Sequence, residues 1–214
     1  ALVPLILPGD HPLRELSGLS FEGTLTVRAP GGKVLHDTTH SILCTHFGLS
    51  GPGILDISRH WRDGIEDDPE STLEIDFMPE VRLEELEETL QNAGSKNPRS
   101  VLRRWHSDRL VDTLIQLATI DGLAPCAQLS KADRKKLLQA CKQYVLPVQG
   151  DRGYTYAEVT MGGIPLEEVD LKTMASRRTT GLYLIGEILD VDGRIGGFNF
   201  QWAWATGFIA GTAT

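Results

Sequence analysis

Residues 181–211 read GLYLIGEILDVDGRIGGFNFQWAWATGFIAG, and the order of residue types in this stretch decides what kind of fold the chain serves. Leu182 to Ile185 make a short apolar run that predicts a buried strand. Gly186 and Glu187 follow at its carboxyl end, where ligands bind in open α/β sheets. A carboxylate there accepts hydrogen bonds from sugar or ribityl hydroxyls. Asp190, Asp192 and Gly193 predict a tight turn, and Gly196-Gly197 lets backbone approach a flat ligand because no Cβ intervenes. From Phe198 onward the pattern is helical. A helix start directs free N–H groups and a positive dipole end at an electron-rich atom. Small residues at Ala203, Gly207, Ala210 and Gly211 give that helix a face able to sit close to other backbone. A plain turn followed by a well-packed helix has the same composition, so this segment alone leaves both readings open.

Working back toward the start, the first third is rich in β-branched residues and turn formers. LVPLIL, SFEGTLTVRAP and KVLHDTTHSILCTHF predict strands of an antiparallel unit, with Ala29-Pro30-Gly31-Gly32 as a hairpin turn. Ser50-Gly51-Pro52-Gly53 opens a helix through ILDISRHW, with Pro52 in the first turn where its missing N–H is harmless. TLEIDF, Thr72 to Phe77, returns as a strand. From Pro79 to about Leu146 the period becomes helical. Val81, Leu83, Leu86 and Leu90 share one side, and further helices are expected near Arg99 to Trp105, Asp108 to Ile120 and Ser130 to Tyr144. Ser130 and Asp133 have the spacing of a capping box, with Asp in place of Glu. Beyond Leu146, YVLPVQG and YTYAEVTMGG predict strands again.

The 214 residues include 21 Lys and Arg against 29 Asp and Glu, a net charge of −8, with 41% hydrophobic and 23% charged residues. That balance is globular, and an acidic chain does not present the clustered cations on which nucleic-acid affinity depends. Three scattered cysteines, Cys44, Cys126 and Cys141, with no CxxC pair, argue against a disulfide framework and fit a reducing cytoplasm. The start, ALVPLILPGD, lacks a basic n-region, and the absence of an initiating Met is read as an excerpt from a longer polypeptide. Ile195 to Thr214 is uncharged, but Asn199, Gln201, three Thr and four Gly interrupt it, so no membrane span is expected. His36 and His40 are four apart in a strand, roughly 13 Å at about 3.3 Å per residue, too far to share one ion, and no metal site is expected. Cys44 reads as a small core residue.

The 181–211 segment closely resembles the C-terminal FAD-binding signature of the bacterial BaiN-like flavoproteins. These are NAD(P)/FAD-dependent oxidoreductases that include aminoacetone-oxidase-like and bile-acid-reductase-like members. Three more stretches resemble the same family in the same order: Ala1 to Leu5, Thr45 to Pro52 (THFGLSGP) and Ala157 to Ile164 (AEVTMGGI). The resemblance implies an α+β chain in which a small antiparallel β-barrel (1–78) and a helical bundle (79–146) form an insert. Residues 147–214 then return to the C-terminal strand-turn-helix portion of an α/β FAD-binding domain. It also implies a partner within the same polypeptide, a dinucleotide-binding half upstream of Ala1 with the GxGxxG loop. Gly51-Pro52-Gly53 imitates that loop, but Asp56 stands at the third glycine and would repel a pyrophosphate.

By the same resemblance, Thr160, Gly162 and Gly163 line one side of the flavin, and Gly186 and Glu187 meet its ribityl chain. Asp190 and Gly196 shape the turn. Gly197, Phe198, Asn199 and Gln201 present the helix start to the N1/C2=O edge, where negative charge on the reduced ring is stabilised. His46 and Ser50, at a helix start, and Arg152, Tyr154 and Tyr156, just before the flavin motif, are expected on the substrate side. The expected activity is transfer of hydride equivalents between a small organic substrate and FAD, with NAD(P)H or oxygen as second partner. No catalytic residue is evident, and the 214 residues alone are expected to bind FAD weakly or not at all and to be inactive. The competing reading is a non-catalytic binding or regulatory module that has lost the cofactor. No nucleic-acid or membrane partner is expected.

Overall fold

The computed structural model describes residues 1–213. It divides into a larger unit, Pro4–Asp151, and a smaller one made of Ala1–Val3 and Arg152–Thr214.

The larger unit is a mixed α+β assembly. Its sheet is antiparallel throughout and runs β6-β5-β2-β3-β4-β1-β7, using β1 (Leu5–Ile6), β2 (Ser20–Arg28), β3 (Val34–Thr45), β4 (Gly48–Ser50), β5 (Thr72–Asp76), β6 (Tyr144–Val145) and β7 (Gly150–Asp151). The β2–β3 hairpin turns through Ala29 to Gly32, as its Pro-Gly-Gly sequence dictates, and alternation buries Leu25, Val27, Ile42 and Cys44. The edge strands β6 and β7 do not pair with each other among the described residues. They are consecutive in the chain, so residues 146–149 bridge the gap that a closed barrel would fill with hydrogen bonds.

Helix α1 (Pro52–Asp67) lies across β2 and β3. It starts at Gly51, whose φ of 87° a side chain would resist, with Pro52 in the first turn. A Cβ on Gly53 would stand 3.3 Å from the Ser41 carbonyl, so the glycine sets how closely the helix approaches the sheet. The Gly51–Asp56 stretch is thus a helix buttress, with Asp56 buried. Four helices follow: α2 (Leu83–Gln91), α3 (Pro98–Leu102), α4 (Asp108–Ala118) and α5 (Lys131–Lys142), packed on one another and on the sheet through one core. The N-cap half of the capping box forms, with Ser130 Oγ accepting from the Asp133 N–H at 3.0 Å, while the Asp133 carboxylate accepts from the Ser130 hydroxyl at 2.8 Å rather than from its backbone N–H. Helix α4 stops two residues short of Ile120 because Thr119 turns left-handed, φ 55° and ψ 49°. Lys142 fastens α5 to the exit of β5. Its side chain is 10% exposed, and its ammonium donates to the Met78 and Val81 carbonyls at 2.6 Å and pairs with Asp76 at 2.6 Å.

The smaller unit has little regular sheet. Strands β8 (Val169–Asp170) and β9 (Ala175–Ser176) form a short hairpin, and α6 (Phe198–Ala213) is its one long helix. Two expectations are corrected here. Leu182 to Ile185 do not form a buried strand: Tyr183 bridges Ala175 alone, Leu184 is buried, and Leu182, Tyr183 and Ile185 are exposed. An apolar run becomes a strand only where successive residues pair with a neighbour, and here a single bridge to β9 forms. YTYAEVTMGG is likewise not a strand but a 3₁₀ turn at Tyr154–Tyr156 and one bridge from Val159 to Leu2. No helix among the described residues is long and apolar enough to cross a membrane.

Candidate functional site

The start of α6 is where the glycine pair acts. Gly196 and Gly197 take φ 128° and 90°, and the position of a Cβ on Gly197 is open, with no atom within 4 Å. The Gln201 N–H makes an early helical bond to the Gly197 carbonyl at 2.9 Å, so the N–H groups just ahead of it have no intrahelical acceptor. Beside them is a cavity of about 280 Å³ whose lining includes Glu158, Glu187, Gly196, Gly197, Asn199 and Phe200. Two carboxylates at its wall suit hydroxyl donors and repel phosphate.

Glu187 is held by the chain itself. Its Oε1 accepts from the Thr160 N–H at 3.0 Å, which ties the Ala157–Ile164 motif to the Gly186 turn. Gly186, buried with φ 69°, is clasped by α6 through the two peptides that flank it: its N–H donates to Thr206 Oγ1 at 3.0 Å, and its carbonyl accepts from Trp202 Nε1 at 3.2 Å. Thr206 is 1% exposed and passes its own proton to the Trp202 carbonyl at 2.8 Å. Gly163 has a packing role. A Cβ there would stand 2.6 Å from the Ile188 carbonyl oxygen.

The expected site residues therefore separate. Glu187, Gly196, Gly197 and Asn199 line the cavity, and Thr160 holds Glu187. The Asn199 side chain is engaged with Gly193, accepting from its N–H at 2.8 Å and donating to its carbonyl at 2.7 Å. Phe198 carries the Arg194 guanidinium over its ring at 4.7 Å. Gln201 and Asp190 are exposed and outside the cavity lining, Gly162 is exposed in irregular backbone with φ 80°, and Gly186 supports from behind. Arg152 lies over the Tyr156 ring at 3.8 Å, with Tyr154 and Tyr156 exposed. In the larger unit, His46 is exposed at the edge of Phe47, and Ser50 is half-buried at the end of β4. The motifs left Glu158, Phe200, Thr206 and Trp202 unmarked. The one signal for the clasp was a pair of hydrogen-bonding side chains four apart on one face of the helix.

Among the described residues no group of three or more His, Cys, Asp or Glu is placed to hold a metal ion. His36 instead stacks on His60, centroids 3.5 Å apart. The three cysteines are free and buried; burial pushes the Cys44 thiol up to about 12, and Cys141 likewise to about 12.

Comparison with known proteins now decides the family. Residues 1–159 match the model of the HI0933-like protein barrel and H2TH domain. The chain belongs to the HI0933-like family. Similar curated relatives extend through the rest of the chain. A 3-dehydro-bile acid delta(4,6)-reductase of Clostridium scindens is 33% identical over 207 residues, 95% of this chain and 50% of its own length. Ribosomal RNA dihydrouridine synthases of Haemophilus influenzae and Escherichia coli are each 36% identical, over 93% and 96% of this chain and 47% and 49% of theirs. The chain thus spans about half the length of these HI0933-like relatives, and the BaiN-like resemblance of its motifs points to the same family.

Proposed function

We propose that this chain supplies the insert and the C-terminal flavin-domain segment of an FAD-dependent oxidoreductase that reduces a carbon–carbon double bond conjugated to a carbonyl. The observation that carries the reading is the α6 start: two glycines of positive φ, unpaired N–H groups and a carboxylate wall around one cavity. Those residues fit a flavin. Glu187 accepts from ribityl hydroxyls, Gly196 and Gly197 leave room for the ring edge, and the first N–H groups of α6 stabilise negative charge at that edge. When bound and reduced by NAD(P)H, the flavin would supply the hydride that the double bond takes up, and a second NAD(P)H would restore it.

The relatives' names support the substrate class. A 3-oxo steroid with unsaturation at positions 4 and 6 and the uracil ring of uridine both hold an alkene conjugated to a carbonyl. The net charge of −8 favours a small molecule over RNA as this chain's substrate. Arg152, Tyr154 and Tyr156 are the residues we assign to its recognition. Three free, buried thiols agree with a cytoplasmic setting.

Purification of the complete polypeptide tests the reading. A yellow protein that releases FAD on denaturation, is reduced by NAD(P)H and is reoxidised by a small enone supports it, as does a roughly tenfold loss of FAD affinity in Glu187→Ala, the size expected for one charge-assisted hydrogen bond. A colourless protein that FAD cannot reconstitute favours a module without cofactor. Reoxidation by unmodified ribosomal RNA alone would move the substrate to nucleic acid.

A further inference from the structure

In the Pro4–Asp151 unit, the 3₁₀ helix Pro12–Leu16 is capped by a histidine, where Ser, Asp or Asn is usual. His11 is 6% exposed, and both of its ring nitrogens are engaged. Nδ1 accepts from the Leu13 N–H at 3.3 Å, and Nε2 lies 2.9 Å from Tyr144 Oη on β6. A backbone N–H only donates, so Nδ1 holds a lone pair and the ring proton is on Nε2. This geometry admits the neutral imidazole alone. A proton arriving at Nδ1 would meet the Leu13 N–H head on and break the cap. The capped helix also carries Arg14, whose own N–H donates to the His11 carbonyl at 3.0 Å. The Arg14 guanidinium reaches two distant parts of the chain: Nε donates to the His46 carbonyl at 2.7 Å and Nη1 to the Leu7 carbonyl at 3.3 Å. The Leu7 N–H in its turn donates to the Phe47 carbonyl at 3.1 Å, so Arg14 rivets the exit of β1 to residues 46–47, between β3 and β4.

The surroundings favour the neutral ring. Burial lowers the His11 pKa, and Asp10 beside it pulls the other way with the smaller effect. Strand β6 presents Tyr144, a phenol whose pKa burial raises. Of the elements packed on the 3₁₀ helix, β3 presents Cys44, a thiol pushed up to about 12 by burial, and β4 has no charged residue. Helix α4 presents Arg109, bonded to the Glu15 carbonyl at 3.0 Å. With the folded pKa lowered, the cap is complete above about pH 6.5 and is lost as pH falls below it.

We propose that His11 is a pH-sensitive latch: neutral, it caps the 3₁₀ helix and through Arg14 keeps residues 46–47 fastened to the end of β1, and protonated at Nδ1 it releases both. The device lies wholly within the Pro4–Asp151 unit and stands whether or not the chain serves a flavoenzyme.

The test is a titration of the complete polypeptide from pH 8 to 5. The His11 ring is followed by ¹⁵N resonances assigned by their loss in His11→Asn, and amide exchange is corrected for its intrinsic pH dependence. At pH 8 the ring is expected to be protonated on Nε2 alone. As it takes up its second proton, the Leu13 and Leu7 amides should lose protection about five- to tenfold, the effect of one lost cap, while amides of β2 and β5 keep theirs. Asn at position 11 accepts from the Leu13 N–H without titrating, so in His11→Asn protection should not change with pH. In Arg14→Met the ring should still titrate, with Leu7 poorly protected at every pH. Should His11→Asn not fold, agreement of the ring and amide midpoints in the native chain decides the matter, the ring then assigned through its contact with Tyr144. A proton on Nδ1 at pH 8, a ring that stays neutral down to pH 5, or protection that is constant while the ring titrates would each overturn the proposal. So would a loss shared by β2 and β5, or one that persists in His11→Asn.

Discussion

Replacing Thr206 by Val probes the clasp that shapes the α6 site. The substitution keeps side-chain volume and removes the hydroxyl that accepts from the Gly186 N–H at 3.0 Å and donates to the Trp202 carbonyl at 2.8 Å. Thr206 is 1% exposed and Gly186 is buried, so water cannot replace the lost acceptor. A buried donor left unpaired costs about 1–3 kcal/mol. At about 2–4 °C per kcal/mol for a chain of this size, the melting temperature falls by about 2–12 °C. The direct assay is amide exchange at Gly186, which should quicken by about 5- to 150-fold, a tenfold change for each 1.4 kcal/mol. Thr206→Ser keeps the oxygen and loses one methyl, so it should retain Gly186 protection despite a cost of about 1 kcal/mol. Equal protection of Gly186 in Thr206→Val and the native chain would refute the reasoning, because it would mean the hydroxyl does not hold the turn.

Other perturbations test the larger unit. Lys142→Met strands Asp76 and two carbonyls and should cost about 3–5 kcal/mol, read as a lowered urea midpoint. Thr119→Gly relieves a β-branched residue of its left-handed conformation and should raise stability by about 1 kcal/mol; no gain would mean the αL turn is unstrained. Burial lowers the pKa of both His11 and His106, so the folded state takes up their protons less readily than the unfolded chain. The stability they contribute is complete above about pH 6.5 and is lost as pH falls below it; the urea midpoint should drop between pH 7 and 5, less steeply in His11→Asn. Cys44 and Cys141 act in the opposite direction. With thiols raised from 9.0 to about 12, their contribution is present below pH 9.0 and declines toward 12, and a disulfide reagent at pH 8 should label neither until denaturant is added.

Much of the larger unit was legible because its elements announce their own period. Alternation located β2, β3 and β5, the 3.6-residue spacing of leucines located α2, and Ser130 with Asp133 marked the start of α5. The run Leu182 to Ile185 misled for the complementary reason. Four apolar residues carry no period, and whether they become a strand depends on neighbours that the run itself does not specify. At the site, Gly196 and Gly197 were legible because their φ values demand glycine, and Glu187 because it stands just past the apolar run, after Gly186. The grip of Thr206 and Trp202 on Gly186 was not, since it joins residues sixteen and twenty apart through a backbone conformation that forms only on folding.

The pairing of β1 with β7 sets Leu5 opposite Asp151 and Ile6 opposite Gly150. The polypeptide thus comes into the larger unit and goes out of it on two adjacent antiparallel threads, about 5 Å apart. Such a cassette asks of its host only a gap one strand wide, the circumstance in which insertion of one domain into another is best tolerated. Exchanging Pro4–Asp151 between relatives is a manipulation that this connectivity permits.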